Sequence, residues 1–152
     1  MFSSHLDSAT AVAGKVKLVT YKQNENKFVG TDGGTILGAD DKAGVTVMLY
    51  MIEHNIPGLY YFFIGEERGG IGSYNLSRED DNEILKDIKR CVAFDRYGYN
   101  SVITHQMMDR CCSDKFADAL CEAFNKHGLN LRKDDTGIFT DSANFTDMIQ
   151  EC

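Results

Sequence analysis

The run Leu59-Tyr60-Tyr61-Phe62-Phe63-Ile64 constrains this chain more than any other segment. Six consecutive apolar residues leave no side of a strand for water, so both faces need cover. The preceding Asn55-Ile56-Pro57-Gly58 carries the only proline and breaks the element before it. A bounded run of this kind suits a central parallel strand, which requires helices on both faces of a sheet. The run ends on Gly65-Glu66-Glu67-Arg68-Gly69-Gly70. Two adjacent carboxylates at the end of a buried strand repel each other once desolvated, unless a cation offsets them.

The rest of the pattern alternates strands with helices. Phe2 to Leu6 reads as a short strand ending in a polar loop. Lys15 to Tyr21 alternates polar and apolar residues, as a half-buried strand does, and Asn24 to Asp32 reads as polar turn material. Gly33 to Gly38 is a flexible approach to Asp40-Asp41. Asp41 to His54 is expected to be a helix with Val45, Met48, Leu49 and Ile52 on one face. Gly69 to Leu76 gives a turn and short helix, and a charged stretch runs from Arg78 to Lys89. Cys91-Val92-Ala93-Phe94 is a second buried strand, ending on Asp95. Ser101 to Thr104 is an expected edge strand. Asp114 to His127 is an amphipathic helix bearing Phe116, Leu120, Ala123 and Phe124, capped by Ser113 and stopped by Gly128. Asp141 to Ile149 is expected to form a final short helix. The fold class is therefore α/β, with a mostly parallel central sheet flanked by helices.

With 152 residues the chain fits one domain with a real core. Its net charge of −7 disfavours nucleic acid, which needs a basic surface. No apolar stretch approaches a membrane span, and the first residues lack the basic and apolar regions of a signal peptide. Cys91, Cys111, Cys112, Cys121 and Cys152 are odd in number and irregular in spacing, which fits reduced thiols in the cytoplasm. No C-x-x-C pair is present for a cysteine zinc site.

The chemistry lies in three clusters and one further acid: Ser4-His5-Leu6-Asp7, Gly38-Ala39-Asp40-Asp41-Lys42-Ala43-Gly44, Gly65-Glu66-Glu67 and Asp95. Histidine with carboxylates is a donor set for a borderline divalent cation. His5 and Asp7 fall on the same side of an extended segment. Taken alone, Asp40-Asp41 is also explained by an acidic helix start, worth ~1 kcal/mol. Glu66-Glu67 alone is also explained by a solvated loop pair. Each cluster sits where a strand ends or a helix begins, and strand carboxyl ends form the ligand crevice of open α/β sheets.

In this order, H-L-D, G-A-D-D-K-A-G, G-E-E-x-G-G-x-G-S and F-D resemble the co-catalytic di-zinc exopeptidases. These include the peptidase T-like and carboxypeptidase G-like enzymes and the single-domain zinc aminopeptidases. The resemblance is strong over residues 2–98 and looser over 113–150. It implies a hydrolase-like α/β fold without a lid domain, since 18 residues separate Asp95 from Asp114. It implies that His5, Asp40, Glu67 and Asp95 ligate two Zn2+ ions, with Asp40 bridging and Co2+ or Mn2+ as alternatives. Glu66 would be the general base toward the metal-activated water, and Asp7 would orient the His5 site. The Asp40-Asp41 peptide would be cis, and Asp141 and Ser142 would meet substrate, although Asp141 is equally explained as a helix cap. The family also has a histidine ligand after the segment matching Gly137 to Phe145, and an N-terminal helix and strand. Residues 1–152 are therefore expected to be a single catalytic domain of this type, incomplete at both ends.

The expected activity is removal of residues from peptides by an aminopeptidase or small-peptide exopeptidase. One alternative is an amidohydrolase acting on N-acyl amino acids. Another is a non-catalytic, metal-binding remnant. Neither a nucleic-acid nor a membrane partner is expected.

Overall fold

The computed structural model describes residues 1–10, 14–79 and 83–152. A three-stranded parallel sheet lies at its centre, in the order β4–β1–β5. Strand β1 spans Phe2–His5, β4 Tyr60–Phe63 and β5 Val92–Ala93. The Tyr60–Phe63 strand is parallel, as expected, but among the described residues it pairs on one side only. The central strand is β1, which pairs with both neighbours. Serines at Ser3 and Ser4 conceal how deeply β1 is buried, because their hydroxyls bond internally. Phe2 stacks on Tyr60 and on Phe94, at 5.2 and 6.1 Å between ring centroids, and so ties the three strands together on one face.

The main core covers the other face. Phe63, Leu85, Cys91, Cys111, Phe145, Ile149 and Cys152 form one buried cluster. Its cover comes from α2 (Ile71–Ser77), α3 (Glu83–Lys86) and a 3-10 turn over Asp141–Phe145. The final segment therefore makes a tight turn rather than the helix expected through Ile149. The charged stretch read from Arg78 to Lys89 includes residues 80–82, which lie outside the described residues. Phe145 is fully buried and stacks on Phe63 at 5.8 Å. Phe145→Ala is expected to destabilise the fold by ~3–5 kcal/mol in urea unfolding. A loss below ~1 kcal/mol would show that the turn does not close the core.

Helix α1 (Ala39–Glu53) packs on β1 from the opposite side. Asp40 and Asp41 have non-helical backbone angles, so the regular helix begins after them. Its buried stripe is Asp41, Gly44 and Met48, whereas Leu49 and Ile52 are exposed. The reason is close approach: a Cβ on Gly44 would lie 2.2 Å from the Phe94 carbonyl oxygen. The helix meets the sheet through backbone there, and the expected apolar face turns partly outward.

Beyond the sheet, β2 (Leu18–Gln23) and β3 (Asn26–Thr31) form an antiparallel hairpin. Residues 24–32 are thus mostly strand, and β2 is exposed along its whole length. A two-residue turn at Asn24-Glu25, both with positive φ, closes the hairpin. Stacking of Tyr21 on Phe28 at 5.5 Å stabilises the pairing that the polar composition concealed. Strands β6 (Ser101–Ile103) and β9 (Arg132–Asp134) pair in parallel, and β7 (His105–Gln106) with β8 (Asp109–Arg110) forms a short hairpin. Helix α4 (Asp114–Asn125) starts where Ser113 accepts the Phe116 N–H at 3.1 Å. No described helix is long and apolar enough to cross a membrane.

Candidate metal centre

The carboxyl ends of the three parallel strands converge on one point. The register Ser3↔Ala93 puts His5 level with Asp95 on the neighbouring strand, and His5↔Phe63 puts the Glu66 turn just beyond the other. The start of α1 brings Asp40 and Asp41 over the same point. His5 is 1% exposed. Its Nε2 lies 3.0 Å from Asp40 Oδ1, 3.6 Å from Asp95 Oδ1 and 3.9 Å from Glu66 Oε2. Its Nδ1 lies 3.1 Å from the Asp7 carbonyl oxygen. An Nδ1–H donated to that carbonyl orients Nε2 toward the carboxylates.

The four residues expected as ligands come together. One group joins His5, Asp40 and Glu67, and a second joins His5, Asp41 and Asp95, with potential ligand atoms within 4.8 Å in each. Asp41 differs from the others in having its oxygens already engaged. It accepts from the Ser4 hydroxyl at 2.5 Å, the His5 N–H at 3.3 Å and the Gly44 N–H at 3.1 Å. Asp41 therefore braces β1 against α1 and leaves Asp40 facing the site. The peptide between the two aspartates is cis. The resemblance distinguishes Asp40 as a ligand but gives Asp41 no role; the buried Ser4 beside His5 is the signal that Asp41 has an internal partner.

Asp7 acts through backbone. Its carboxylate accepts the N–H groups of Gly65, Glu66 and Glu67 at 2.9, 3.3 and 3.2 Å. These bonds shape the turn that carries both glutamates, and Gly65 adopts a positive φ of 78° within it. Burial raises the Asp7 pKa, but the backbone N–H bonds outweigh it and hold the carboxyl below its ordinary range. Asp7→Ala is expected to cost about 2 kcal/mol, since three N–H groups lose an ionised acceptor. In a chain of this size that is roughly 4–8 °C in Tm by calorimetry. An unchanged Tm would show that the turn holds its shape without Asp7.

Glu66 and Asp41 are crowded out of water, whereas the Asp40 side chain is 73% exposed and Glu67 is exposed. Burial, then the Asp95 charge, pushes Glu66 up to about 7, although His5 opposes it. Burial also lifts Asp41 to about 6 against the Ser4 hydrogen bond. Burial pulls His5 down, but bonding to Asp95 and the charges of Asp95, Glu66 and Asp41 carry it up to about 10. Folded without a cation, the cluster therefore retains protons. One imidazole nitrogen and several carboxylate oxygens, converging and partly desolvated, fit Zn2+, Co2+ or Mn2+ by donor chemistry.

Asp141 and Ser142, read as substrate contacts, are 1% and 2% exposed. Asp141 Oδ1 accepts from Ser73 at 2.5 Å, and Ser142 accepts from the Gln106 amide at 3.0 Å. Gln106 in turn accepts the Thr140 N–H at 3.0 Å. The Thr140 hydroxyl donates to Asp95 Oδ2 at 2.5 Å, a positioning role the sequence did not reveal. The 140–145 segment thus links α2, β7 and Asp95. His105 pairs with the Thr104 hydroxyl at 2.9 Å.

Against known proteins, the chain is similar to the uncharacterized protein YqjE of Bacillus subtilis strain 168. The two are 45% identical over 84 residues, covering 51% of this chain and 21% of the relative. The chain thus spans about a fifth of that relative's length. No family model matches, and no solved structure matches.

Proposed function

We propose that this chain is the core of a metal-dependent exopeptidase that removes residues from peptides. The observation that carries the reading is one buried imidazole nitrogen within 3.0–3.9 Å of three carboxylates supplied by separate segments. A structural ion pair needs one partner; three acids around one histidine leave negative charge that a divalent cation neutralises. His5, Asp40, Glu67 and Asp95 would hold two cations, zinc in the first instance. The chemistry such ions supply when bound is Lewis-acid polarisation of the scissile carbonyl and a lowered pKa for water.

The protein's own groups supply the proton handling. Glu66 is lifted to about 7 and is 12% exposed, so it can take and return a proton near neutrality. Asp7 fixes the turn on which Glu66 sits, and Asp41 fixes the start of α1 beside Asp40. Thr140 holds one oxygen of Asp95 and leaves the other toward His5.

The test combines metal content with turnover. Protein purified without added metal is analysed by plasma mass spectrometry, then loaded with zinc and assayed on amino-acid amides, dipeptides and N-acyl amino acids. Zinc retention that depends on His5, with cleavage of amides or dipeptides, supports the reading. Cleavage confined to N-acyl amino acids replaces it with an amidohydrolase. Zinc retention without turnover on any substrate leaves a metal-binding domain.

A further inference from the structure

Two of the buried thiols are cross-strand neighbours. Arg90 and Glu151 pair in parallel, and the Cys91 N–H donates to the Glu151 carbonyl oxygen at 2.6 Å. One step further along both segments, Cys91 stands beside Cys152. Both belong to the main core cluster, so their side chains leave the ladder on the same face. Neighbouring strands lie about 4.8 Å apart, inside the ~4.4–6.8 Å between Cα atoms that a disulfide spans. The thiols are already in contact, with the Cys152 S–H hydrogen-bonded to the Cys91 sulfur. Each residue is also fixed from another side. The Cys152 N–H donates to the Cys111 carbonyl oxygen at 2.9 Å, and the Ser3 hydroxyl lies 3.8 Å from the Cys91 sulfur.

The remaining thiols are placed differently. Cys111 and Cys112 direct their S–H groups to the Ile103 carbonyl oxygen, at 3.8 and 3.6 Å. As chain neighbours their Cα atoms are about 3.8 Å apart, below the disulfide range. Cys121 lies on α4, outside the cluster. Within the pair the two sulfurs differ in reactivity. The hydrogen bond from Cys152 outweighs burial and holds the Cys91 thiol below its ordinary value, while that same bond and burial push Cys152 up. Cys91 is therefore the nucleophile, and Cys152 the thiol that resolves the product.

We propose that Cys91 and Cys152 are a redox-sensitive pair that closes to a reversible disulfide with a small peroxide as oxidant. The Cys91 thiolate attacks one peroxide oxygen. The O–O bond breaks, the leaving oxygen departs as water after taking a proton, and Cys91 becomes a sulfenic acid. The Cys152 sulfur then attacks the Cys91 sulfur. The S–S bond forms, the S–O bond breaks, and the oxygen leaves as water with the Cys152 proton. Two thiols are oxidised by two electrons in all, and one peroxide is reduced to two waters. The bond ties the segment that carries Thr140 and Phe145 to the strand that leads into Asp95, and Thr140 already holds that carboxylate.

The test uses hydrogen peroxide on the reduced protein at neutral pH, followed by alkylation, digestion without reductant and mass spectrometry of the linked peptides. One intramolecular link, Cys91 to Cys152, is expected. The oxidised protein should melt about 5–15 °C higher than the reduced one, because the link closes a long loop, and dithiothreitol should reverse both changes. Cys121→Ser should leave the link and the Tm rise intact, and Cys152→Ser should abolish both. Should Cys152→Ser fail to fold, the peptide map of the wild type decides alone. The proposal is overturned if peroxide produces no intramolecular link, or if the link maps to Cys111, Cys112 or Cys121. It is also overturned if folded protein gives the same mixture of links as protein in urea, or if the Cys91–Cys152 link leaves Tm unchanged.

Discussion

Zinc-loaded Glu66→Gln protein is expected to keep its metal and lose hydrolysis by about 10²–10⁴-fold, the usual contribution of a positioned acid–base group. Glutamine preserves the shape and much of the hydrogen bonding but cannot take a proton. Unlike Asp7, Asp41 and Asp95, the Glu66 carboxylate accepts no hydrogen bond among the described residues. Asp41 bonds to β1 and Gly44, Asp7 supports the turn, and Asp95 is held by Thr140. Its position also keeps it near the reacting groups, with Oε2 3.9 Å from His5 Nε2. The discriminating comparison is kcat against zinc content and Tm. Loss of kcat with both others unchanged assigns the proton transfer to Glu66. Activity within about threefold of wild type would remove Glu66 from that role. Loss of zinc would make it a ligand instead.

Much of this site was legible because strand ends are written plainly in the sequence. Apolar runs that stop on Glu66 and Asp95 predicted where the acids would lie, and the parallel register brings His5 level with Asp95. The parts that were not legible depend on partners distant in sequence. Asp40 and Asp41 are chemically identical, and only the approach of Ser4 and Gly44 makes one a brace. Thr140 reaches Asp95 across 45 positions, with no local motif to announce it. The same limit governed the fold. β1 is central although its serines look like surface, because buried acceptors satisfy them. The β2–β3 hairpin was half missed because cross-strand stacking of Tyr21 and Phe28, not composition, sets its second strand. The face of α1 was misread because Gly44 packs through backbone, which hydrophobic periodicity does not count.

Stripped of metal with a chelator, the protein is expected to lose stability as pH rises from about 5 to 8. Ordinary values are 3.8 for Asp41 and Asp141, 4.5 for Glu66 and 6.5 for His5. Burial raises Asp41 and Asp141 to about 6 and Glu66 to about 7, while the surrounding carboxylates carry His5 to about 10 despite its burial. All four shifts have the same sign. The folded state binds more protons than the unfolded state between the ordinary and the raised values, so stability is greatest below that window and declines through it. The shifts do not add, because protonating one carboxylate weakens the field that holds the His5 proton. One net extra proton across two pH units is a realistic scale, equivalent to ~3 kcal/mol, or about 10 °C in Tm for a chain of this size. Asp7 has the opposite shift, but its contribution is lost only in acid, below the ordinary carboxylate range. Zinc should reverse the trend, since a cation competes with those protons and binds more tightly as they leave. Thermal melts in chelator at pH 5, 6.5 and 8, repeated with excess zinc, separate the cases. A falling Tm in chelator, with a zinc-induced rise that grows with pH, identifies the cluster as charge awaiting a cation. A Tm that is flat or rising in chelator would mean that the acids are neutralised within the fold, and would count against a metal centre at His5.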